Sequence, residues 1–556
     1  MNEVTPDMIA QIASRLYNEL PGAGMVPKSP GEAAQLPSMA GSMPASPSQL
    51  PALPGVATDT HPQMQPSSYS SPTIPGYANL PQGVDAATIP SAAAVTPSTA
   101  TAAPANEDGL RAFVQRIKTS HSHDQRGLCA EDPGIALIQR ALGGSSLPTE
   151  SSRPYDVNAI RRDFPILHQQ VHGKQLAWLD NAATTQKPQS VIDAISRFYA
   201  NDNSNIHRAA HTLAARSTDA YEGARKKVQA FVGASRVEEI IFVRGTTEGI
   251  NLVAKTYGKK FLQPGDEIIL STLEHHANIV PWQMVAKETG AVIRVIPVTD
   301  RGEIMLEEYQ ALLGPRTKIV SLTQASNSLG TILPVGEMTQ MAKRYNARVL
   351  IDGAQSVAHL PVNVQQLGAD FFVFSGHKIF GPTGIGAVFV KEELQEIMPP
   401  WQGGGNMIRN VTFEETTYSP PPAKFEAGTP NIADAVGLGA ALDYVNRLGL
   451  PNINRYEHEL LVYATEQLSR INGLRLIGQA RDKVGVLSFV LPGKRTEEIG
   501  RLLDLEGIAV RAGHHCAQPS LRRFGVETTV RPSLSIYNTK DEIDRLADAI
   551  KRIQRI

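Results

Sequence analysis

Cysteine is almost missing from this sequence: its 556 residues include two, Cys129 and Cys516. Two thiols cannot form the disulfide framework of a small secreted domain. Each is then either a small buried side chain or a reactive thiol. Net charge is also missing, at −1, which removes any global attraction to nucleic acid or to an anionic membrane. No apolar run is long enough to span a bilayer. The opening "MNEVTPDMIAQIASRLYNELPG" carries acids among its apolar residues and lacks a signal-peptide core. These absences predict a soluble, cytoplasmic protein without nucleic-acid or membrane partners.

A local absence marks the first boundary. Between Lys28 and Arg111 there is no lysine or arginine, and Pro, Ser, Ala, Gly and Thr dominate, as in "GSMPASPSQLPALPG". Such a stretch buries too little apolar surface to offset chain entropy, so residues 1–154 are expected to form a disordered extension. Three islands interrupt it. In "TPDMIAQIASRLYNELPG", Thr5 and Pro6 open a helix whose face carries Ile9, Ile12, Leu16 and Leu20. Similar stripes run through "EDGLRAFVQRIK" and "DPGIALIQRALGG". Helices this short are marginal alone. They read either as docking motifs that fold on a partner or as segments packing back on their own enzyme.

Beyond this extension strand and helix alternate. Near-continuous apolar runs ("EIIFV", "DEIIL", "KIVSLT", "RVLID", "FFVF", "GAVFV") are separated by helical patterns. That pattern predicts an α/β domain over 155–427 with a mostly buried sheet. Residues 428–556 read as a smaller α+β domain against which the first residues of the large one pack.

Chemistry gathers at the strand ends. In "FVRGTTEGIN", Gly245 turns and Thr246 and Thr247 open a helix, which suits an anion or serves as an ordinary cap. In "VLIDGAQSVAH", Asp352 ends a strand, where open α/β sheets place ligands, and Gln355 stands three residues on. His275 comes after the strand in "EIILSTLEHHANIVPW"; there it can stack on a flat ring and pass protons, or simply fill the core. In "FSGHKIFGPTGIG", Lys378 stands in a cramped, glycine-flanked turn beside Ser375 and His377. Taken singly, a solvated lysine is the commoner case. A lysine that must lose its proton and form a Schiff base needs such desolvation. Phosphate cradle, strand-end Asp, Gln and Lys together fit pyridoxal phosphate (PLP).

From about Asn158 to Ile556 the chain resembles the SufS-type, fold-type I PLP-dependent cysteine desulfurases, which implies a mixed, mostly parallel sheet in the large domain. The resemblance rests on "LDNAATTQKP", "SNIHRAAHTLA", "FVRGTTEGIN", "EHHANIVPW", "ASNSLGT", "DGAQSVAH", "FSGHKIFGPTGIG", "FEAGTPN", "RAGHHCAQP" and "RPSLSIYNT". It implies that Lys378 bonds the cofactor aldehyde, Asp352 pairs with the ring nitrogen, Gln355 reaches the phenolic oxygen and His275 stacks on the ring. It implies that Thr247, Ser375 and His377 hold the phosphate, with Thr246 nearby. Thr429 of a second copy would contribute, which makes the enzyme a homodimer. Asn327 and Arg531 would bind the carboxylate of L-cysteine, and Arg511 would orient the substrate. Cys516, in "VRAGHHCAQPS", would receive the substrate sulfur as a persulfide while alanine leaves. An acceptor protein or small thiol would then collect the sulfur, toward iron–sulfur cluster assembly. A selenocysteine lyase is the alternative, since it would share these contacts.

His514, His515 and Cys516 are not expected to hold a metal, because adjacent residues rarely present every ligand to one tetrahedral ion. In "RPSLSIYNT", Pro532 replaces the family's usual alanine and removes an N–H, so pairing beside Arg531 is expected to differ. The extension resembles those of desulfurases that are cargo of family 2 encapsulins. That implies docking to a shell protein through residues 1–150 and residence inside the nanocompartment.

Overall fold

The computed structural model describes residues 155–207 and 210–556. The expected disordered extension, its three helical islands and Cys129 lie outside the described residues.

Seven strands make the main sheet: β1 (Ile240–Val243), β2 (Glu267–Ser271), β3 (Val292–Ile296), β4 (Thr317–Thr323), β5 (Arg348–Asp352), β6 (Phe371–Ser375) and β7 (Gly386–Val390), in spatial order β1-β7-β6-β5-β4-β2-β3. Strands β2 to β6 pair in parallel, and β7 runs antiparallel to both β6 and β1. The sheet is therefore mixed and mostly parallel, as the fold-type I resemblance implies.

Those runs are unbroken because both faces are covered. Along β1 and β6, Ile240, Phe242, Phe372 and Phe374 join one core, and Ile241, Val243, Phe371 and Val373 join another. This is the two-residue alternation of a strand with apolar partners on each side. The first core is closed by helices α1 (Thr212–Val232) and α2 (Ile432–Leu448), which pack on one another. Only β3, at the sheet edge, leaves most of its residues in solvent.

A second sheet holds β8 (Arg475–Ile477), β9 (Ser488–Val490), β10 (Arg511–Gly513) and β11 (Thr529–Arg531), in order β8-β9-β11-β10. It packs with α3 (Leu450–Ser469) and α4 (Lys540–Arg555) around Leu460, Phe489, Val530 and Ile550. The start of the described chain joins this part. Ala177 and Trp178 pair with Ile508 and Ala509, Tyr155 stacks on Tyr456, and Arg161 meets Glu542 at 2.9 Å.

Pro532 sits one residue past β11. Its carbonyl still accepts from Leu487 N (3.0 Å), and Ser533 N donates to Leu179 O (2.7 Å). The strand ends where the missing N–H falls, and the flanking pairing continues around it.

Candidate active site

The carboxyl ends of the parallel strands and the ends of β10 and β11 face one cavity of about 760 Å³. Twelve of the thirteen residues singled out in the sequence line it: Lys378, Cys516, His275, Thr246, Thr247, Asp352, Gln355, Ser375, His377, Asn327, Arg511 and Arg531. Thr429 does not; it is exposed in a turn after Gly428.

Lys378 closes a 3-10 turn, Gly376–Lys378, directly after β6. A Cβ on Gly376 would stand 2.9 Å from Ile385 Cγ2 and 3.1 Å from two carbonyl oxygens, so only glycine lets this turn pack on the 382–385 loop. Burial, opposed by Asp352 and aided by Arg531, brings the Lys378 amine down to about 8. It is thus poised to lose its proton near neutral pH. His377 and His275 are likewise held neutral, at about 4 and about 3, first by burial and then by the Lys378 charge. His275 Nδ1 accepts from Ala277 N at 3.0 Å, which leaves the ring proton on Nε2.

Asp352 is buried, and its Oδ1 accepts from Ala354 N at 2.9 Å. Gln355 donates to the Ala182 carbonyl at 2.5 Å. Ser375 Oγ accepts from Thr246 N and shares a hydrogen bond with Thr246 Oγ1, both 2.9 Å. The helix Thr246–Val253 therefore opens onto the cavity beside a serine hydroxyl. Arg531 is buried. Its Nη1 donates to Asn327 O (2.9 Å) and its Nη2 reaches Asp180 Oδ1 (3.2 Å), while Nε meets no protein acceptor. Across the cavity Cys516 is exposed, with φ of 52° in a tight turn. The turn is held from behind: Asn327 Nδ2 donates to His515 O (2.6 Å), and the His515 ring meets Thr529 Oγ1 (2.8 Å).

Comparison with known proteins decides the family. Residues 177–546 match the model for aminotransferase class-V. A cysteine desulfurase of Synechococcus elongatus is 63% identical over 419 residues, which is 74% of this chain and 67% of the relative. A probable cysteine desulfurase of Mycolicibacterium paratuberculosis is 54% identical over 494 residues, 88% of this chain and 70% of the relative. The crystal structure of the cysteine desulfurase CsdA from Escherichia coli superposes with a TM-score of 0.68 at 40% identity, covering 72% of this chain and 99% of that one. The chain belongs to the cysteine desulfurase family.

Members of this family use PLP, and the cavity fits it on three independent grounds. The opening of the Thr246–Val253 helix and the Ser375 hydroxyl suit a phosphate. The buried Asp352 carboxylate, destabilised by desolvation, suits a protonated ring nitrogen. Lys378 supplies a desolvated amine for the aldehyde.

Three residues of the site escaped the sequence reading. Asp180 lies inside the quoted motif "LDNAATTQKP", and its role appears only once Arg511 and Arg531 are seen against it. Glu274 is fully buried, next to His275 in sequence and near Asp352 in charge. His276 meets the Cys516 turn: its N–H donates to Cys516 O at 2.8 Å.

Proposed function

We propose that the protein converts L-cysteine to L-alanine and holds the released sulfur as a persulfide on Cys516. The observation that carries this is the convergence of Lys378, from the end of β6, with Cys516 and Arg531, from the smaller sheet far along the chain, on one cavity. Bound PLP supplies an electron sink for the substrate's α-carbon, which is the cofactor's own chemistry.

The chain's residues do the rest. Arg531 takes the substrate carboxylate through its Nε–H, which meets no protein acceptor, Asn327 adds the Nδ2–H not spent on His515 O, and Arg511 orients the substrate from the cavity wall. Lys378, neutral near pH 8, accepts the α-proton. The Cys516 thiolate attacks the substrate sulfur: an S–S bond forms, the Cβ–S bond breaks, its electron pair stays on carbon, and that carbon takes a proton to become alanine's methyl group. His275 would stack on the cofactor ring and, with its Nε2–H, offers a hydrogen-bond donor. Thr247, Ser375 and His377 would hold the phosphate with Thr246 beside them, Asp352 would keep the ring nitrogen protonated and Gln355 would reach the ring's oxygen.

Thr429, exposed and outside its own cavity, completes the phosphate site of a second copy in a SufS-type homodimer. An acceptor protein or small thiol then takes the sulfur for iron–sulfur cluster assembly or storage. A selenocysteine lyase is less well supported, since the relatives are named as cysteine desulfurases and the thiol lines the cavity.

In this reading residues 1–154 are the docking extension, 155–427 the cofactor-binding domain and 428–556 the domain that carries the thiol. The enzyme is cytoplasmic, and its extension docks it inside an encapsulin shell. The composition of Lys28–Arg111 and the apolar stripes of the three islands support this. Among the described residues no helix is long and apolar enough to cross a membrane.

The test is an absorbance spectrum of the purified protein before and after L-cysteine, with sulfide and alanine assayed together. A visible cofactor band lost in Lys378→Ala, with both products lost in Cys516→Ala, supports the reading. No band after incubation with PLP sinks it. Deleting residues 1–150 tests the extension: turnover persists and shell association disappears, whereas loss of turnover would make the extension part of the enzyme.

A further inference from the structure

Along the sequence, His514, His515 and Cys516 are adjacent, and His515 is buried against Thr529. The fold replaces buried His515 with His276 from another chain segment. Among the described residues, one ligand atom each from His276, His514 and Cys516 lie within 4.8 Å of one another. The cluster is built by backbone contacts. His276 N donates to Cys516 O (2.8 Å), Gln518 N donates to His276 Nε2 (3.2 Å), and Cys516 N donates to His514 Nδ1 (3.1 Å). The two imidazoles stack, with centroids 5.8 Å apart and planes 28° from parallel. Each ring thus aims a lone pair at the turn that carries the thiol.

We propose that His276, His514 and Cys516 form a three-ligand site for a thiophilic divalent cation of the zinc type, with the fourth position open to solvent or a second thiolate. Two nitrogens and one thiolate match the borderline-soft preference of zinc. A tetrahedral ion with bonds of about 2.0–2.3 Å holds its ligands roughly 3.5 Å apart. His514 and Cys516 are exposed and His276 only partly so, so side-chain rotation closes the difference. The ion takes the ring lone pairs in place of the two backbone hydrogen bonds, of 3.1 and 3.2 Å. Lys378, Arg511 and Arg531 line the adjoining cavity and oppose a cation. Binding is therefore weaker than at a structural zinc and reversible by chelators. The further consequence, which rests on the proposed function, is that a metallated Cys516 cannot attack substrate sulfur, so zinc switches turnover off.

The test uses the full-length, PLP-loaded enzyme in a Cys129→Ser background, because "HSHDQRGLC" in the extension offers its own histidines and thiol. Equilibrium dialysis against zinc chloride and zinc X-ray absorption are measured on this protein and on Cys516→Ser, His276→Ala and His514→Ala. The expected result is one zinc per chain with one sulfur neighbour at about 2.3 Å. That sulfur disappears in Cys516→Ser, and affinity falls at least tenfold in all three variants. A zinc without sulfur, or binding indifferent to His276→Ala, overturns the site. Zinc bound by the natural chain and lost on Cys129→Ser alone overturns it too. Turnover that falls with zinc and returns on chelation supports the switch. If the metal-free enzyme shows no turnover while zinc still binds as described, the desulfurase reading fails and the metal site stands.

Discussion

Asp180 Oδ1 lies 3.2 Å from Nη2 of the buried Arg531, and its Oδ2 lies 3.1 Å from Arg511. One carboxylate thus anchors both arginines of the cavity. Burial and the Arg511 charge pull Arg531 down to about 10, and Asp180 is what opposes them. Asp180→Asn keeps the shape and removes the charge. Steady-state kinetics should show KM for L-cysteine raised about tenfold, roughly 1.4 kcal/mol, with kcat changed much less. Asp180→Ala leaves a buried guanidinium without its counter-ion and should lower unfolding stability by about 3–5 kcal/mol. An unchanged KM in Asp180→Asn would remove Arg531 from substrate binding.

How much of the site was legible beforehand depended on sequence distance. Asp352, Lys378 and His275 could be read because each comes after an apolar run that only a doubly covered strand explains, and strand ends are where such sheets place ligands. Asp180 and His276 could not be assigned roles, because those roles exist only where the 177–182 and 275–278 segments meet β10, β11 and the Cys516 turn. The smaller sheet was also harder. "VGVLSFVL", residues 484–491, is apolar almost throughout, yet only Ser488–Val490 of it is a regular strand. Val484 N donates to Gly330 O and Leu487 N to Pro532 O, so the run changes partners along its length. Periodicity cannot show a change of partner.

Lys378, brought down to about 8 by burial against Asp352's opposing charge, should set the pH dependence of cofactor capture. In protein stripped of PLP, the rate of regaining the visible band should rise with pH and level off above about 8. A lysine at its ordinary 10.5 would be only about 0.3% neutral at pH 8 and still climbing tenfold per unit. Asp352 favours the charged amine, so Asp352→Asn should move the midpoint lower. A midpoint near 10 in the natural protein would contradict the buried setting of this lysine.

His275, near 3 through burial and the Lys378 charge, stays neutral from pH 5 to 8. Its assigned roles separate by substitution. His275→Phe keeps a flat ring and loses Nε2–H, so PLP affinity should stay within a few-fold while kcat falls about 100-fold. The natural enzyme's pH–rate profile should have no limb from this histidine between pH 5 and 8. Loss of PLP affinity with kcat retained would reverse the assignment.

Glu274 offers a test through stability. Its carboxyl is fully buried and accepts from Ser271 Oγ (2.5 Å), Asn278 Nδ2 (2.6 Å) and Thr323 N (2.8 Å). Desolvation outweighs these donors and raises it from 4.5 to about 7, with Asp352 adding to the rise. The folded protein therefore keeps this proton over a range where the unfolded chain has released it. Stability from this group is fully present below about 4.5 and is lost as pH climbs to 7, at about 1.4 kcal/mol per unit and roughly 3 kcal/mol in all. Glu274→Gln cannot titrate. The stability difference between natural protein and variant, taken from denaturant midpoints, should therefore shrink between pH 5 and 7 and stay level above. A difference that is flat across that window would show that Glu274 is ionised in the fold and that its hydrogen bonds outweigh burial.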